Sequence, residues 1–123
     1  MPKRILVIDD SGTIRKAIRR ILEGLEYEVT EAVDGAAALA ALEAGAVFEA
    51  VLCDIDMPVM DGLAFLAAVA ARPQLAVPPV IMCTTHTSFD KIQTALTLGA
   101  SEYIMKPFDA TIIASKLETV GVL

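Results

Sequence analysis

Val51-Leu52-Cys53-Asp54-Ile55-Asp56-Met57-Pro58-Val59-Met60-Asp61-Gly62 passes from an apolar run into an acidic loop that closes on an Asp-Gly turn. A continuous apolar run suits a strand covered on both faces, as in a parallel sheet. An acid placed directly after such a strand is held by rigid backbone and faces the solvent end of the sheet. Asp54 holds that position, which makes it a candidate nucleophile toward a phosphoryl group.

The same alternation extends outward on both sides. Residues 4–9 form an apolar run ending in Asp9-Asp10, and 27–32, 48–54, 80–84 and 101–105 read as further strands. After the first, Ser11 is a candidate N-cap, and Ile14, Ile18, Ile21, Leu22 and Leu25 lay an apolar stripe along one helix face, with Gly24 and Tyr27 marking its exit. Asp34-Gly35 is a turn, and 36–44 is a helix closed by Gly45. Residues 63–71 form a helix with Phe65, Leu66 and Val69 as packing positions, ended by Arg72-Pro73. Residues 89–98 form a fourth helix, with Ser88 as a possible cap and Phe89, Ile92 and Leu96 inward. After Lys106-Pro107, residues 109–120 form a fifth, with Ile113, Leu117 and Val120 inward. Phe65 and Phe89 are expected in the core, and Tyr27 packs at the start of strand two. Five strand–helix pairs in alternation predict a doubly wound α/β fold with a parallel sheet and five helices. Residues 1–123 form a single domain on this reading.

Bulk properties exclude several function classes. At 123 residues the chain suits one domain with a substantial core. It is 55% hydrophobic, yet no apolar run approaches the roughly 18 residues of a membrane span. The N-terminal apolar segment is too short for a signal peptide and meets acids at once, so a cytoplasmic protein is expected. A net charge of −6 argues against direct nucleic-acid binding. Arg15, Lys16, Arg19 and Arg20 read as a solvated helix face. Cys53 and Cys83, each ending an apolar run without CxxC spacing, read as reduced core thiols.

The polar residues with chemistry fall at one end of this scheme. Asp9 and Asp10 end strand one, Asp54 ends strand three, Thr84 ends strand four, and Lys106 follows strand five. Ligands of open parallel sheets bind outside the carboxyl ends of the strands, where strand order reverses. With strands one and three adjacent, three carboxylates share a small volume and need a cation, for which Mg²⁺ with oxygen ligands is suited. Asp54 then attacks a phosphoryl donor in line to form an acyl phosphate. Lys106 pairs with a phosphoryl oxygen as a point charge, and the Thr84 hydroxyl donates to another.

These residues carry a resemblance. Ile5-Leu6-Val7-Ile8-Asp9-Asp10-Ser11, Asp54-Ile55-Asp56-Met57-Pro58 with Asp61-Gly62, Val80-Ile81-Met82-Cys83-Thr84, and Gly99-Ala100-Ser101-Glu102-Tyr103 leading to Lys106-Pro107-Phe108 are similar to the receiver domain of bacterial response regulators. The single-domain chemotaxis (CheY-like) type is the nearest. The spacings agree, with 44 positions from Asp10 to Asp54 and 22 from Thr84 to Lys106.

The resemblance implies a flavodoxin-like sheet of order 2-1-3-4-5 and a signalling switch rather than an enzyme with turnover. It implies that Asp54 is the phosphoacceptor and that Mg²⁺ is held by Asp9, Asp10, Asp54 and the backbone carbonyl of Asp56, with Asp10 a direct ligand. It further implies Thr84 as the switch hydroxyl, Lys106 as the phosphoryl-pairing lysine, Tyr103 as an aromatic switch and a cis Lys106-Pro107 bond. The phosphoryl donor is then a histidine kinase or histidine phosphotransfer protein. The output surface is the face of helix four, strand five and helix five, in a monomer or a phosphorylation-dependent dimer.

Three positions set this chain apart. Thr85 stands where the family usually has a small residue, and Asp56 and His86 occupy positions that tune the lifetime of the phosphorylated state. Two alternatives accompany this reading: a haloacid-dehalogenase-like phosphohydrolase using Asp54 and Asp56, and an N-terminal receiver piece of a longer transcriptional regulator.

Overall fold

The computed structural model describes residues 3–75 and 77–122. Among them, β1 (Arg4–Ile8), β2 (Glu28–Ala32), β3 (Ala50–Asp54), β4 (Val80–Thr84) and β5 (Glu102–Met105) form one parallel sheet in the order β2-β1-β3-β4-β5. Helices α1 (Gly12–Gly24), α2 (Gly35–Glu43), α3 (Gly62–Ala70), α4 (Ile92–Thr97) and α5 (Ala110–Thr119) alternate with the strands. The doubly wound architecture expected from the sequence is the one observed.

Period-two alternation along the strands builds two cores. Leu6, Ile8, Val51, Cys53, Val80 and Met82 face α2, α3 and α4. Their neighbours Ile5, Val7, Leu52, Ile81, Cys83 and Ile104 face α1 and α5. Strands sealed on both sides explain the uninterrupted apolar runs. They also place Cys53 and Cys83 on opposite faces of the sheet, buried and free of any disulfide. Burial pushes both thiols above their ordinary value, Cys83 up to about 12, which makes them inert.

Side-chain caps open four of the helices. Ser11, Asp34, Asp61 and Asp109 accept a hydrogen bond from the backbone N–H of Ile14, Ala37, Ala64 and Ile112 respectively. Each such cap is worth ~1 kcal/mol. Asp34, Asp61 and Asp109 are thereby accounted for as structural acids.

Several local expectations change. α1 ends at Gly24 as expected, but the left-handed residue that follows it is Glu26, with φ of 70°. The segment before α4 is a 3₁₀ turn over His86–Lys91, entered at Thr85 without a side-chain cap, so position 88 lies within the turn and the N-cap position of α4 is Lys91. Phe65 is fully buried as expected, but Phe89 is 46% exposed, and Leu96 also points outward while Ile92 and Ala95 fill the core. Tyr27 is buried ahead of β2 and its hydroxyl donates to the Val122 carbonyl at 3.4 Å. The basic face of α1 is only partly solvated: Arg15 and Arg19 both pair with Glu31, at 2.9 and 2.8 Å. No helix among the described residues is long and apolar enough to cross a membrane.

Candidate functional site

Sheet register gathers the polar residues. Ile8 pairs with Cys53, so Asp9 and Asp54 leave adjacent strands at the same level. Thr84 pairs with Met105, and the Lys106 N–H donates to the Thr84 carbonyl at 2.7 Å. One carboxylate oxygen each from Asp9, Asp10 and Asp54 lies within 4.8 Å of the other two.

Burial differs across this cluster, and with it the task each acid can perform. Asp9 is 2% exposed, and both its oxygens are occupied: Oδ1 accepts from the Ser11 N–H at 2.9 Å and Oδ2 from Lys106 Nζ at 3.2 Å. Asp10 is exposed. Asp54 is half-buried, and its Oδ1 accepts from the Ile55 N–H at 3.0 Å and from Lys106 Nζ at 3.4 Å. Burial, then the nearby charge of Asp9, pushes the Asp54 carboxyl up to about 6 against the pull of Lys106 and the Ile55 N–H. Burial lowers the Lys106 ammonium, but the carboxylates of Asp54 and Asp9 outweigh it and the net shift is upward, so Lys106 stays charged.

One lysine thus serves two ionisable carboxylates, with a third exposed beside them. The residual negative charge and the all-oxygen donor set fit a hard divalent cation. The fit is chemical as well as spatial, since the three converging groups are all carboxylates.

The surrounding loops brace Asp54. The Gly62 N–H donates to the Ile55 carbonyl at 2.8 Å, and a Cβ at Gly62 would lie 2.5 Å from the Asp54 carbonyl oxygen and 2.7 Å from Met82 Cε. Only glycine lets the chain return this close to the strand end. Within the same loop Val59 adopts φ of 67° and is exposed.

Thr84 is buried, and its hydroxyl donates to the Thr85 carbonyl at 3.2 Å. Thr85 is exposed and, with Lys106, Pro107, Phe108 and the α1 residues Ile14 and Ile18, lines a groove of about 440 Å³. The Lys106-Pro107 bond is cis. Tyr103 is half-buried, meets Phe89 edge to face at 5.9 Å, and carries Lys116 Nζ 5.4 Å from its ring centre. The exposure of Phe89 therefore has a partner that helical spacing could not reveal.

Asp56 Oδ1 accepts from Lys91 Nζ at 2.7 Å. Sequence reasoning singled out Asp56 but not Lys91. Nothing in the sequence marks that lysine, which lies 35 positions away at the end of the 3₁₀ turn. The side chain of His86 lies outside the described residues.

Residues 5–118 match the response regulator receiver domain family. The chain is 39% identical over 118 residues to chemotaxis protein CheY1 of Helicobacter pylori strain J99, covering 95% of each chain. It is 37% identical to chemotaxis protein CheY of Pseudomonas aeruginosa, covering 95% of this chain and 94% of the relative. The structure of Vibrio cholerae chemotaxis protein CheY4 superposes with a TM-score of 0.87 at 36% identity, over 98% of this chain and 99% of that one.

Proposed function

The chain belongs to the response regulator receiver domain family, a family of two-component signalling switches, and from that premise we propose that it is switched by phosphorylation of Asp54. The single observation that carries this reading is the meeting of Asp9, Asp10 and Asp54 within 4.8 Å, with Lys106 bridging two of them.

Asp54 is ionised above about pH 6, so its carboxylate is available as a nucleophile at neutral pH. A lone pair of an Asp54 carboxylate oxygen forms the new O–P bond as the P–N bond of a phosphohistidine breaks. The departing electron pair returns to the imidazole nitrogen. Donors of this kind are histidine kinases and histidine phosphotransfer proteins. Asp9, Asp10 and Asp54, with the backbone carbonyl of Asp56, would hold Mg²⁺, and Asp10, exposed, is open to bind it directly. When bound, Mg²⁺ supplies charge neutralisation for the incoming phosphoryl oxygens.

Lys106 exchanges a carboxylate partner for a phosphoryl oxygen, keeping its position as the local cation. The Thr84 hydroxyl leaves the Thr85 carbonyl to donate to another phosphoryl oxygen. That movement vacates space beneath Tyr103, whose edge contact with Phe89 transmits the change to the 3₁₀ turn leading into α4, and with Lys116 to α5. The output is altered binding of a protein partner on the α4-β5-α5 face, in the cytoplasm, through a shift between two pre-existing states. Thr85, at the mouth of the site, slows phosphotransfer or hydrolysis relative to a small residue.

Incubation with acetyl phosphate or beryllofluoride in Mg²⁺ tests the reading. Stoichiometric modification of the native chain, lost in Asp54→Asn, is the expected result. Modification elsewhere, or none, overturns it. Sustained hydrolysis of phosphate esters would instead mark a phosphohydrolase.

A further inference from the structure

Arg15, near the start of α1, is bound on two sides. Its Nη1 donates to the Asp9 carbonyl at 2.6 Å and its Nε to Glu31 Oε1 at 2.9 Å. Glu31 is held in turn by Arg19 Nη1, which donates to Oε2 at 2.8 Å. The side chains of Arg15 and Glu31 are 15% and 22% exposed, against 47% and 50% for the Arg4–Glu28 pair. Pairs as open as Arg4–Glu28 contribute little. A planar guanidinium this enclosed, with two edges engaged, is held in one orientation.

That orientation sets one peptide plane. The Asp9 carbonyl belongs to the peptide joining Asp9 to Asp10, two of the three acids that meet within 4.8 Å. The peptide is rigid, so a bond to its oxygen sets ψ of Asp9 and φ of Asp10 together. Strand β2 anchors it from both sides: the Asp9 N–H donates to the Ala32 carbonyl at 3.1 Å, and Glu31, the residue before, holds the guanidinium. The Ser11 N–H closes the turn on Asp9 Oδ1 at 2.9 Å. Asp10 is exposed, so its place in the cluster depends on the backbone that carries it and not on packing around its side chain.

We propose that Arg15 is a positioning residue for the divalent cation: by clamping the Asp9 carbonyl it fixes the Asp9–Asp10 peptide and keeps the Asp10 carboxylate beside those of Asp9 and Asp54. This rests on the acid cluster holding Mg²⁺. The sign of the effect separates positioning from plain electrostatics. A positive charge near the cluster opposes a second cation, so on charge alone its removal would tighten Mg²⁺ binding. Loss of the clamp weakens binding instead, and losing a group that orients a metal ligand costs roughly 10–100-fold in affinity.

The experiment compares the full chain with Arg15→Gln, Arg15→Lys, and Arg15→Gln in an Asp10→Asn background. Mg²⁺ affinity is read by calorimetry, and Asp54 modification by acetyl phosphate is followed as Mg²⁺ is varied. Arg15→Gln lowers the affinity about tenfold. Arg15→Lys, which keeps the charge without the fork, loses a similar factor. In both, the Mg²⁺ concentration giving half the maximal rate rises, while the rate at saturating Mg²⁺ holds. In the Asp10→Asn background Arg15→Gln adds no comparable loss, because the carboxylate it positions is gone. A merely structural role would lower the midpoint of urea unfolding and leave the Mg²⁺ affinity of the folded chain unchanged. Should Arg15→Gln not fold, Arg15→Lys carries the same comparison. The proposal is overturned if both variants bind Mg²⁺ as tightly as the native chain or more tightly, if only the saturated rate falls, or if the loss persists undiminished without the Asp10 carboxylate. If the native chain binds no Mg²⁺, the cation reading falls and takes this one with it. A native chain that binds Mg²⁺ beside unchanged variants overturns only the role of Arg15, and calorimetry decides that role whether or not Asp54 becomes modified.

Discussion

Lys106 Nζ, one residue past β5, lies 3.4 Å from Asp54 Oδ1 at the end of β3, although 52 positions separate them in the chain. The same ammonium reaches Asp9 at 3.2 Å. Lys106→Gln leaves a hydrogen-bonding group but no charge for the developing phosphoryl anion. Loss of one such stabilising group costs roughly 100-fold in rate. Asp54 modification by acetyl phosphate, followed over time, is expected to slow by about that factor, and an unchanged rate removes Lys106 from the mechanism.

Removing divalent cations is expected to reduce Asp54 modification to background, with recovery on adding Mg²⁺. Asp10→Asn retains size but loses the charge of the exposed acid in the cluster. Its Mg²⁺ affinity, measured by calorimetry, should fall at least about tenfold, the lower end for disturbing even the outer support of a metal site.

Gly62→Ala places a Cβ 2.5 Å from the Asp54 carbonyl oxygen and 2.9 Å from Ile55 Cα, both backbone atoms that cannot step aside. Overpacking of this kind costs about 1–3 kcal/mol. Urea unfolding should show a lowered midpoint. Because the clash falls on Asp54 itself, the modification rate should fall as well.

Val59→Asn should stabilise the chain. Val59 is 85% exposed, so little burial is lost, and its φ of 67° is a conformation that a β-branched residue resists. Left-handed backbone costs an L-residue about 1–2 kcal/mol, and asparagine adopts it more readily. A gain of about 1 kcal/mol in urea unfolding is expected.

Glu31 should make stability depend on acid pH. Hydrogen bonds from Arg19 first, and then Arg15, hold its carboxyl below the usual value of 4.5. A folded-state value below the unfolded one means that the stabilisation is complete above about pH 4.5 and is lost as pH falls through the lowered folded value. Glu31→Gln should therefore be less stable than the native chain at pH 7, by up to about 1 kcal/mol. The gap should close in acid, as followed by urea unfolding across pH 2–7.

Much of the site was legible because its members abut strand ends. Asp9, Asp10, Asp54, Thr84 and Lys106 each follow or close an apolar run, and a parallel sheet brings equivalent ends together. The region of α4 was less legible. Phe89, Ile92 and Leu96 have helical spacing, but a 3₁₀ turn has a different period from an α-helix. Phe89 thereby leaves the core and meets Tyr103. Gly24 does mark the end of α1, while the left-handed position beyond it falls to Glu26, which the sequence does not single out.

By itself the sequence determined the alternation of strands and helices, the burial of the sheet on both faces, and the set of residues at its carboxyl end. Those are consequences of local periodicity and apolar run length, which a linear chain records directly. Only the tertiary structure decided which charges pair: Lys106 with Asp54 and Asp9, Arg15 and Arg19 with Glu31, and Lys91 with Asp56. An ion pair depends on separation in space, and residues 35 or 97 positions apart carry no local sign of the partner they meet.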